Sequence, residues 1–159
     1  MKKKINMTIE EDSITISSTG KYNAVNIKTL PYPGFPTDLQ QPFSVFTTQC
    51  KGKSVIKETL YENRFMHVPY LNKMGANIKT EKDTAIIIGK TKLVGTDVVA
   101  TDLRAGASLV IAGLIAEDKT IISEVEHILR GYEGIVEKFL NLGADIKYVN
   151  DTTEGEQKW

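Results

Sequence analysis

The sequence predicts an α/β domain built from repeated βαβαββ units. Segments that alternate apolar and polar residues, as strands do, are interspersed with segments of helical periodicity. The tripeptide Thr-Asp-Leu at 37–39 recurs 64 residues later at 101–103, and the stretch 74–78 recurs 68 residues later at 142–146. Residues 103–115 are apolar or small on almost every side, which is typical of a helix inside a domain. A period near 65 residues is long enough for a whole supersecondary unit, and such units bury their faces against copies of themselves.

The repeat divides the chain. Residues 5–17 are the end of one unit, 24–88 a full unit and 98–149 most of a second. We therefore expect residues 1–149 to form an incomplete domain and residues 150–159, which show no periodicity, to form a flexible tail.

Composition excludes several classes of protein. The 159 residues include 20 basic and 20 acidic side chains, so the absence of net charge gives no reason to expect a nucleic-acid or membrane partner. The longest apolar run, 105–116, is too short to span a bilayer, and residues 1–4 are not followed by the apolar core of a signal peptide. We expect a cytoplasmic protein.

Cysteine and histidine usage predicts no metal or cofactor. The single cysteine, Cys50, has no partner for an internal disulfide or a zinc site, and we expect a small thiol in the core or on a helix surface. His67 and His127 have no second ligand at metal spacing and are interpreted as ordinary polar positions.

Alternation, prolines and glycines locate the elements of the first part of the chain. Pro31, Pro33 and Pro36 stiffen the loop that leads to Thr37 and Asp38. The predicted elements are a hairpin of two strands within 5–17, a strand at 24–29, a helix at about 39–49, a strand at 54–59, a short helix with Pro69 in its first turn and Gly75 at its end, and a strand pair at 76–80 and 84–88.

The second unit repeats this order. The predicted elements are a strand at 98–100, a helix at about 103–116, a strand at 120–125, a helix at 130–142 ended by Gly143, and a last strand at 144–149. Charge is concentrated at the start of the first of these helices. Asp102 can cap its free N–H groups, and the backbone there favours anions beside Arg104.

Four motifs carry a resemblance to a known family. They are PGFPTD at 33–38, ENRFMH at 62–67, ATDLRA at 100–105, and His127 followed by RGYE at 130–133. In order and spacing, over about residues 5–149, they resemble the C-terminal half of the UDP-N-acetylglucosamine enolpyruvyl transferases, also called UDP-N-acetylglucosamine 1-carboxyvinyltransferases.

The resemblance implies an inside-out α/β barrel, or prism, with helices inside and sheets outside. It also implies a reaction in which the enolpyruvyl group of phosphoenolpyruvate moves onto the 3-hydroxyl of UDP-N-acetylglucosamine, the first committed step of peptidoglycan synthesis. Both substrates would lie in a cleft between two halves. The N-terminal half, which carries the family's catalytic cysteine, is absent from this sequence, and Cys50 does not match that cysteine.

The resemblance also implies residue roles. Asp38 would orient the sugar hydroxyl and accept its proton, while Arg130 would face the phosphoenolpyruvate anion. Leu60 and Tyr61 would line the nucleotide-sugar site. The residues expected to support the cleft are Arg64, Asp102 and Arg104.

The residues by themselves allow simpler interpretations. Asp38 by itself is typical of a helix cap, and Arg130 of an exposed arginine that complements Glu126 or Glu133.

Three functions stay open. The chain can be a fragment of the nucleotide-sugar transferase, inactive alone, whose partner is the missing N-terminal half. It can be a fragment of the shikimate-pathway enolpyruvyl transferase, which the motifs at 33–38 and 127–133 oppose. It can also be a non-catalytic module that binds a ligand or the missing half. An absent unit would leave apolar faces uncovered, so we also expect self-association.

Overall fold

The computed structural model describes residues 5–150, so the basic residues 2–4 and all but the first residue of the expected tail lie outside the described part. The elements in chain order are β1 (Ile5–Ile9), β2 (Ile14–Ser18), β3 (Asn26–Lys28), a 3-10 helix (Thr37–Leu39), α1 (Gln40–Thr48), β4 (Gly52–Lys57), α2 (Val68–Lys73), β5 (Ile78–Glu81), β6 (Thr84–Gly89), β7 (Asp97–Val99), α3 (Leu103–Ile115), β8 (Ile121–Ser123), α4 (Glu126–Gly131) and α5 (Ile135–Asn141).

The order from β3 to β6 is the βαβαββ unit that the sequence predicts. Its strands form one sheet in the order β3-β4-β6-β5, in which β3 and β4 are parallel and the other pairs antiparallel. The second unit begins in the same way, since β7 and β8 are parallel and α3 connects them. Parallel neighbours require such a crossover, which is why a helix lies between each parallel pair.

The helices lie between the sheets. α1 packs on β4 and β6, α3 packs on α1, and β8 packs on α3. One hydrophobic core therefore joins the two units, with Val45 and Ile56 from the first and Val98 and Leu109 from the second. This layering confirms the prediction of helices inside and sheets outside.

Small side chains allow the two central helices to pack closely. The buried residues of α3 are Ala105, Gly106, Ala107, Ser108, Leu109, Val110 and Ala112. The prediction of a buried helix is confirmed for this part of α3, whereas Leu114 and Ile115 near its end are exposed.

Two predicted elements of the second unit are wrong. The single helix at 130–142 is two helices, because the chain breaks after Gly131 and Gly134 adopts a left-handed conformation with φ of 60°. The strand at 144–149 does not form. Instead, Ile146 packs against the small cluster that contains Ile128, so this segment covers helices and does not pair with a strand.

The β1–β2 hairpin has an uncovered apolar face. Met7 pairs with Ile16 and Ile9 with Ile14, so these side chains lie on one side of the ribbon, and all four are at least 60% exposed. An exposed apolar face of this kind marks a contact surface. No helix within residues 5–150 has the length and apolar character needed to cross a bilayer.

The segment after β6 closes the C-terminal end of α1. Both the N–H and the hydroxyl of Thr91 donate hydrogen bonds to the carbonyl of Thr48, at 2.9 and 3.4 Å. Gly89 lies directly against this helix end. A Cβ at Gly89 would lie 2.7 Å from the Thr48 carbonyl oxygen and 3.0 Å from that of Thr47, and closer still to that of Cys50.

Gly89→Ala is expected to destabilise the fold by at least about 2 kcal/mol, because the new methyl group meets backbone atoms that cannot rotate away. The matched control is Gly113→Ala in α3, where the added Cβ would lie 3.3 Å from the Thr120 Cβ. This control should change stability little, since alanine also favours the helix. Urea unfolding of the two variants measures both effects, and equal stabilities would contradict the prediction.

Candidate functional site

The repeated Thr-Asp-Leu motifs of the two units meet at one place. Asp38 lies in the 3-10 helix Thr37–Leu39, hereafter the Asp38 turn, and Arg104 lies in the first turn of α3. The Arg104 Nε donates a hydrogen bond of 2.5 Å to Asp38 Oδ1. The Asp38 side chain is 65% exposed and that of Arg104 is 32% exposed. An ion pair this exposed adds little to stability, so its importance lies in how it orients the carboxylate.

Asp102 holds the start of α3. Its Oδ1 accepts hydrogen bonds from the backbone N–H groups of Arg104, at 2.8 Å, and Ala105, at 3.0 Å. The capping role predicted for Asp102 is therefore confirmed. Asp38 makes no such bond, so its interpretation as a helix cap is wrong: its carboxylate contacts Arg104 and remains open to solvent.

A buried glutamate lies beneath the site. Glu58 follows β4 and is only 2% exposed, yet its carboxylate accepts hydrogen bonds from the hydroxyls of Thr29 and Thr37 and from the N–H groups of Leu60 and Tyr61. Burial opposes the charge, but these donors outweigh it and hold the pKa of Glu58 below its ordinary value.

Sequence reasoning missed Glu58, although a signal was present. Ser54, Ile56 and Glu58 are all buried and recur at every second position, so the alternation of the strand already directs Glu58 inward. A buried glutamate carboxylate is costly unless hydrogen-bond donors surround it. An inward-facing glutamate in a strand therefore indicates an organised polar site.

Leu60 and Tyr61 form an exposed surface after β4, and the half-buried Arg64 lies beside it. Leu60 is 36% and Tyr61 58% exposed. The Arg64 guanidinium lies over the Tyr61 ring, 4.4 Å from its centre. The Gln41 side chain donates to the Arg64 carbonyl at 3.1 Å, which ties this surface to α1. The structure therefore places Arg64 against Tyr61, and Arg64 forms no ion pair with any residue of 5–150.

Arg130 is exposed in the last turn of α4, which packs on α3. Within the described residues its side chain makes no ion pair and no hydrogen bond, so the expected pairing with Glu126 or Glu133 does not form. The structure brings Asp38 and Arg104 into contact. Arg130 is connected to this pair only indirectly, because its helix α4 packs on α3, which carries Arg104.

The two histidines differ. His127 is exposed, but His67 is fully buried, so its interpretation as an ordinary polar position is wrong. His67 Nε2 lies 2.7 Å from Ser44 Oγ, and its Nδ1 has no partner among the described atoms. Burial lowers the pKa of His67 from 6.5 to about 4, although nearby Asp102 opposes this. The imidazole is therefore neutral at pH 7.

Cys50 is a buried free thiol just after α1, as expected for a core position, and burial raises its pKa. In the part of the chain that the structure covers, no three His, Cys, Asp or Glu side chains are grouped to hold a metal ion.

A sequence model of the family described as EPSP synthase (3-phosphoshikimate 1-carboxyvinyltransferase) matches residues 1–139. The chain belongs to this family of enolpyruvyl transferases. The resemblance carried by the four sequence motifs is thereby confirmed at the level of the family.

Curated members of the enolpyruvyl transferase family give a closer match. Proteins named UDP-N-acetylglucosamine 1-carboxyvinyltransferase are 59% identical in Clostridium botulinum (85% of this chain, 32% of the relative) and 53% identical in Finegoldia magna (88% and 33%). The protein named UDP-N-acetylglucosamine 1-carboxyvinyltransferase 2 from Listeria monocytogenes is 55% identical (88% and 33%). The chain spans about a third of the length of these relatives.

Solved structures of the family have the same fold. The enolpyruvyl transferase NikO from Streptomyces tendae matches with a TM-score of 0.82 and 29% identity, over 90% of this chain and 33% of that chain. EPSP synthase from Acinetobacter baumannii matches with a TM-score of 0.55 and 18% identity, over 77% and 30% of the two chains. The second likeness concerns the fold alone.

Asp102→Ala is expected to destabilise the chain by about 1 kcal/mol, because two N–H groups at the start of α3 lose their acceptor. Asp102→Asn is the matched control, since its amide oxygen can still accept those bonds. Thermal unfolding measures both variants. If Asn and Ala lower the melting temperature equally, Asp102 does not act as a cap.

His67 is expected to make stability depend on pH. Because its folded pKa of about 4 lies below its ordinary value of 6.5, the unfolded chain binds the proton more readily. The stabilisation is complete above pH 6.5 and is lost as the pH falls towards 4, by about 3 kcal/mol at most.

Urea unfolding at pH 7 and at pH 4.5 tests this dependence. His67→Gln should remove most of the loss, while the control His127→Gln, at an exposed position, should retain it. An unchanged loss in His67→Gln would show that other groups cause it.

Proposed function

We propose that this chain carries part of the active site of a transferase that moves the enolpyruvyl group of phosphoenolpyruvate onto the 3-hydroxyl of UDP-N-acetylglucosamine. Alone it is inactive. The observation that carries the proposal is the exposed Asp38 carboxylate held by Arg104, on a chain whose curated relatives bear that enzyme's name. We also propose that this reaction belongs to peptidoglycan synthesis and takes place in the cytoplasm, as the resemblance to this family implies.

Asp38 suits the role of proton acceptor. Arg104 contacts Oδ1, and within residues 5–150 Oδ2 accepts no hydrogen bond, so it can accept one from a substrate hydroxyl. A carboxylate is a weak base for an alcohol. It suffices here if the hydroxyl becomes acidic only as it attacks, so that the proton is transferred late and geometry matters most.

The reaction that this site would serve has three steps. The sugar oxygen adds to C2 of phosphoenolpyruvate as its hydroxyl proton passes to the base, C3 is protonated, and phosphate then leaves together with one proton from C3, which restores the C2–C3 double bond. Negative charge persists throughout, and arginine is well suited to hold it because its planar guanidinium binds carboxylate or phosphate through two hydrogen bonds. Arg130 is exposed and makes no ion pair in the described chain, which supports assigning the phosphoenolpyruvate anion to it.

Leu60 and Tyr61 are proposed to line the nucleotide-sugar site. Both are exposed apolar side chains whose backbone is fixed from below by Glu58. Arg64, Asp102 and Arg104 are assigned to the support of the cleft. Arg64 would act through its contact with Tyr61, and Asp102 through the start of α3 that carries Arg104.

A second candidate is the shikimate-pathway transferase, since the matching family model bears its name. The identities favour the nucleotide-sugar enzyme: curated relatives of that name are 53–59% identical to this chain, whereas the EPSP synthase structure is 18% identical. The third candidate is a non-catalytic module that binds a ligand or the rest of the transferase.

The exposed apolar face of the β1–β2 hairpin is proposed to be a contact surface. It can bind the remainder of the transferase or, in the absence of that part, a second copy of this chain. Analytical ultracentrifugation of the chain alone tests self-association. A monomer at every concentration would exclude the contact with a second copy.

Complementation tests the proposed function. The chain is mixed with a polypeptide that covers the two thirds of the Clostridium botulinum relative beyond the matched region, and phosphate release from the two substrates is measured. The mixture should release phosphate, whereas either polypeptide alone should not. Asp38→Ala should lower the rate by about 100-fold or more, because the proton acceptor is lost.

Asp145→Ala is the control, since this exposed carboxylate follows α5 and lies in neither the Asp38 turn nor the β1–β2 hairpin. Turnover of shikimate 3-phosphate in place of UDP-N-acetylglucosamine would favour the second candidate. Partner binding without any turnover would favour the third.

A further inference from the structure

We propose that Glu58 is a positioning residue, which joins the Asp38 turn and the Leu60–Tyr61 segment into one substrate-binding surface. This inference rests on the proposed function, because that function places the sugar hydroxyl at Asp38 and the nucleotide sugar at Leu60 and Tyr61. It adds a residue that touches neither substrate and acts through the two segments that do.

The two oxygens of the carboxylate contact different parts of the site. Oε2 accepts a hydrogen bond of 2.8 Å from the Thr37 hydroxyl, next to Asp38 in the turn. Oε1 accepts bonds from the Leu60 N–H at 2.9 Å and the Tyr61 N–H at 3.3 Å. A single rigid group therefore spans two segments that lie more than 20 residues apart in the sequence.

The sheet holds the carboxylate itself in place. Its Oε1 also accepts a bond of 2.8 Å from the hydroxyl of Thr29, which is fully buried. The same Thr29 hydroxyl accepts a bond from the Thr59 N–H at 2.9 Å, and the Glu58 N–H donates to the Asp83 carbonyl at 2.8 Å. The position of Glu58 is therefore set by β-structure, which is more rigid than the loops that it joins.

Charge makes this link strong. Burial opposes ionisation, but the four donors keep the pKa of Glu58 below its ordinary value, so the group is a carboxylate at neutral pH. Hydrogen bonds to a charged acceptor are about twice as strong as those between neutral groups. A glutamine keeps Oε1 but presents an NH₂ group to Thr37, whose hydroxyl can then only accept a bond between neutral groups, so Glu58→Gln weakens the connection to the Asp38 turn.

A double-mutant cycle followed by native-state hydrogen exchange tests the link on the chain itself. Thr37→Val should speed exchange of the Leu60 and Tyr61 amides by about tenfold, although Thr37 contacts neither residue, because Glu58 loses one of its anchors. In the Glu58→Gln background, where the bond to Thr37 is already weakened, the same substitution should have a clearly smaller effect. The amide of Ile56 in β4 is the reference, since a general loss of stability would appear there, and only exchange in excess of it counts as the local effect.

Ser13→Ala is the matched control, since it removes a hydroxyl–glutamate bond, to Glu10, in the exposed β1–β2 turn. It should leave the Leu60 and Tyr61 amides unchanged. The proposal is overturned if Thr37→Val leaves their exchange unchanged, or if its effect is the same in both backgrounds.

The complemented mixture supplies the functional measurement. Thr37→Val and Glu58→Gln should each lower turnover about tenfold, and the double variant should be slower by much less than the product of the two effects. The KM for UDP-N-acetylglucosamine should rise while that for phosphoenolpyruvate stays constant, a split that general loss of stability does not produce. Equal changes in both KM values would overturn the positioning role. An inactive wild-type mixture would overturn the proposed function, while the exchange cycle would still decide whether Glu58 joins the two segments.

Discussion

The packing of α1 on α3 is the constraint on which the site depends. The buried face of α3 consists mostly of alanine, glycine and serine, so the two helices can approach closely and their N-terminal ends lie side by side. Asp38 precedes one helix and Arg104 begins the other. A larger residue at Ala105 or Ser108 would separate the helices, and the ion pair between the two units would be lost with the core.

Several polar side chains are buried near the Asp38–Arg104 ion pair, although burying them does not by itself stabilise the fold. Glu58 and His67 are buried, and the side chains of Gln40 and Gln41 retain polar atoms without partners among the described residues. Buried polar groups cost free energy unless they are paired. Glu58 is fully paired: its four hydrogen bonds offset the cost of burying the charge, and they also order the loops above it.

The two units use equivalent positions differently. With the shift of 66 residues that relates Arg64 to Arg130, Glu58 corresponds to Glu124. Glu58 is buried and bonded four times, whereas Glu124 is exposed and has a φ of 57°. Likewise Arg64 stacks on Tyr61, while Arg130 is exposed and forms no ion pair with any described residue. The repeated units therefore share one backbone arrangement, but their equivalent residues have diverged. As a result, Arg64 and Arg130 have different surroundings.

The sequence by itself determined the repeat, the α/β class and the order of elements through β8, because periodicity and turn residues are local signals. It also determined that Asp102 caps α3, since capping depends on neighbours two and three residues away. Only the tertiary structure decided that Asp38 is no cap, that α4 and α5 are separate, and that residues 144–149 form no strand. Strand alternation directs Glu58 inward, but the partners of Glu58 and His67 lie more than 20 positions away, and no local pattern identifies them.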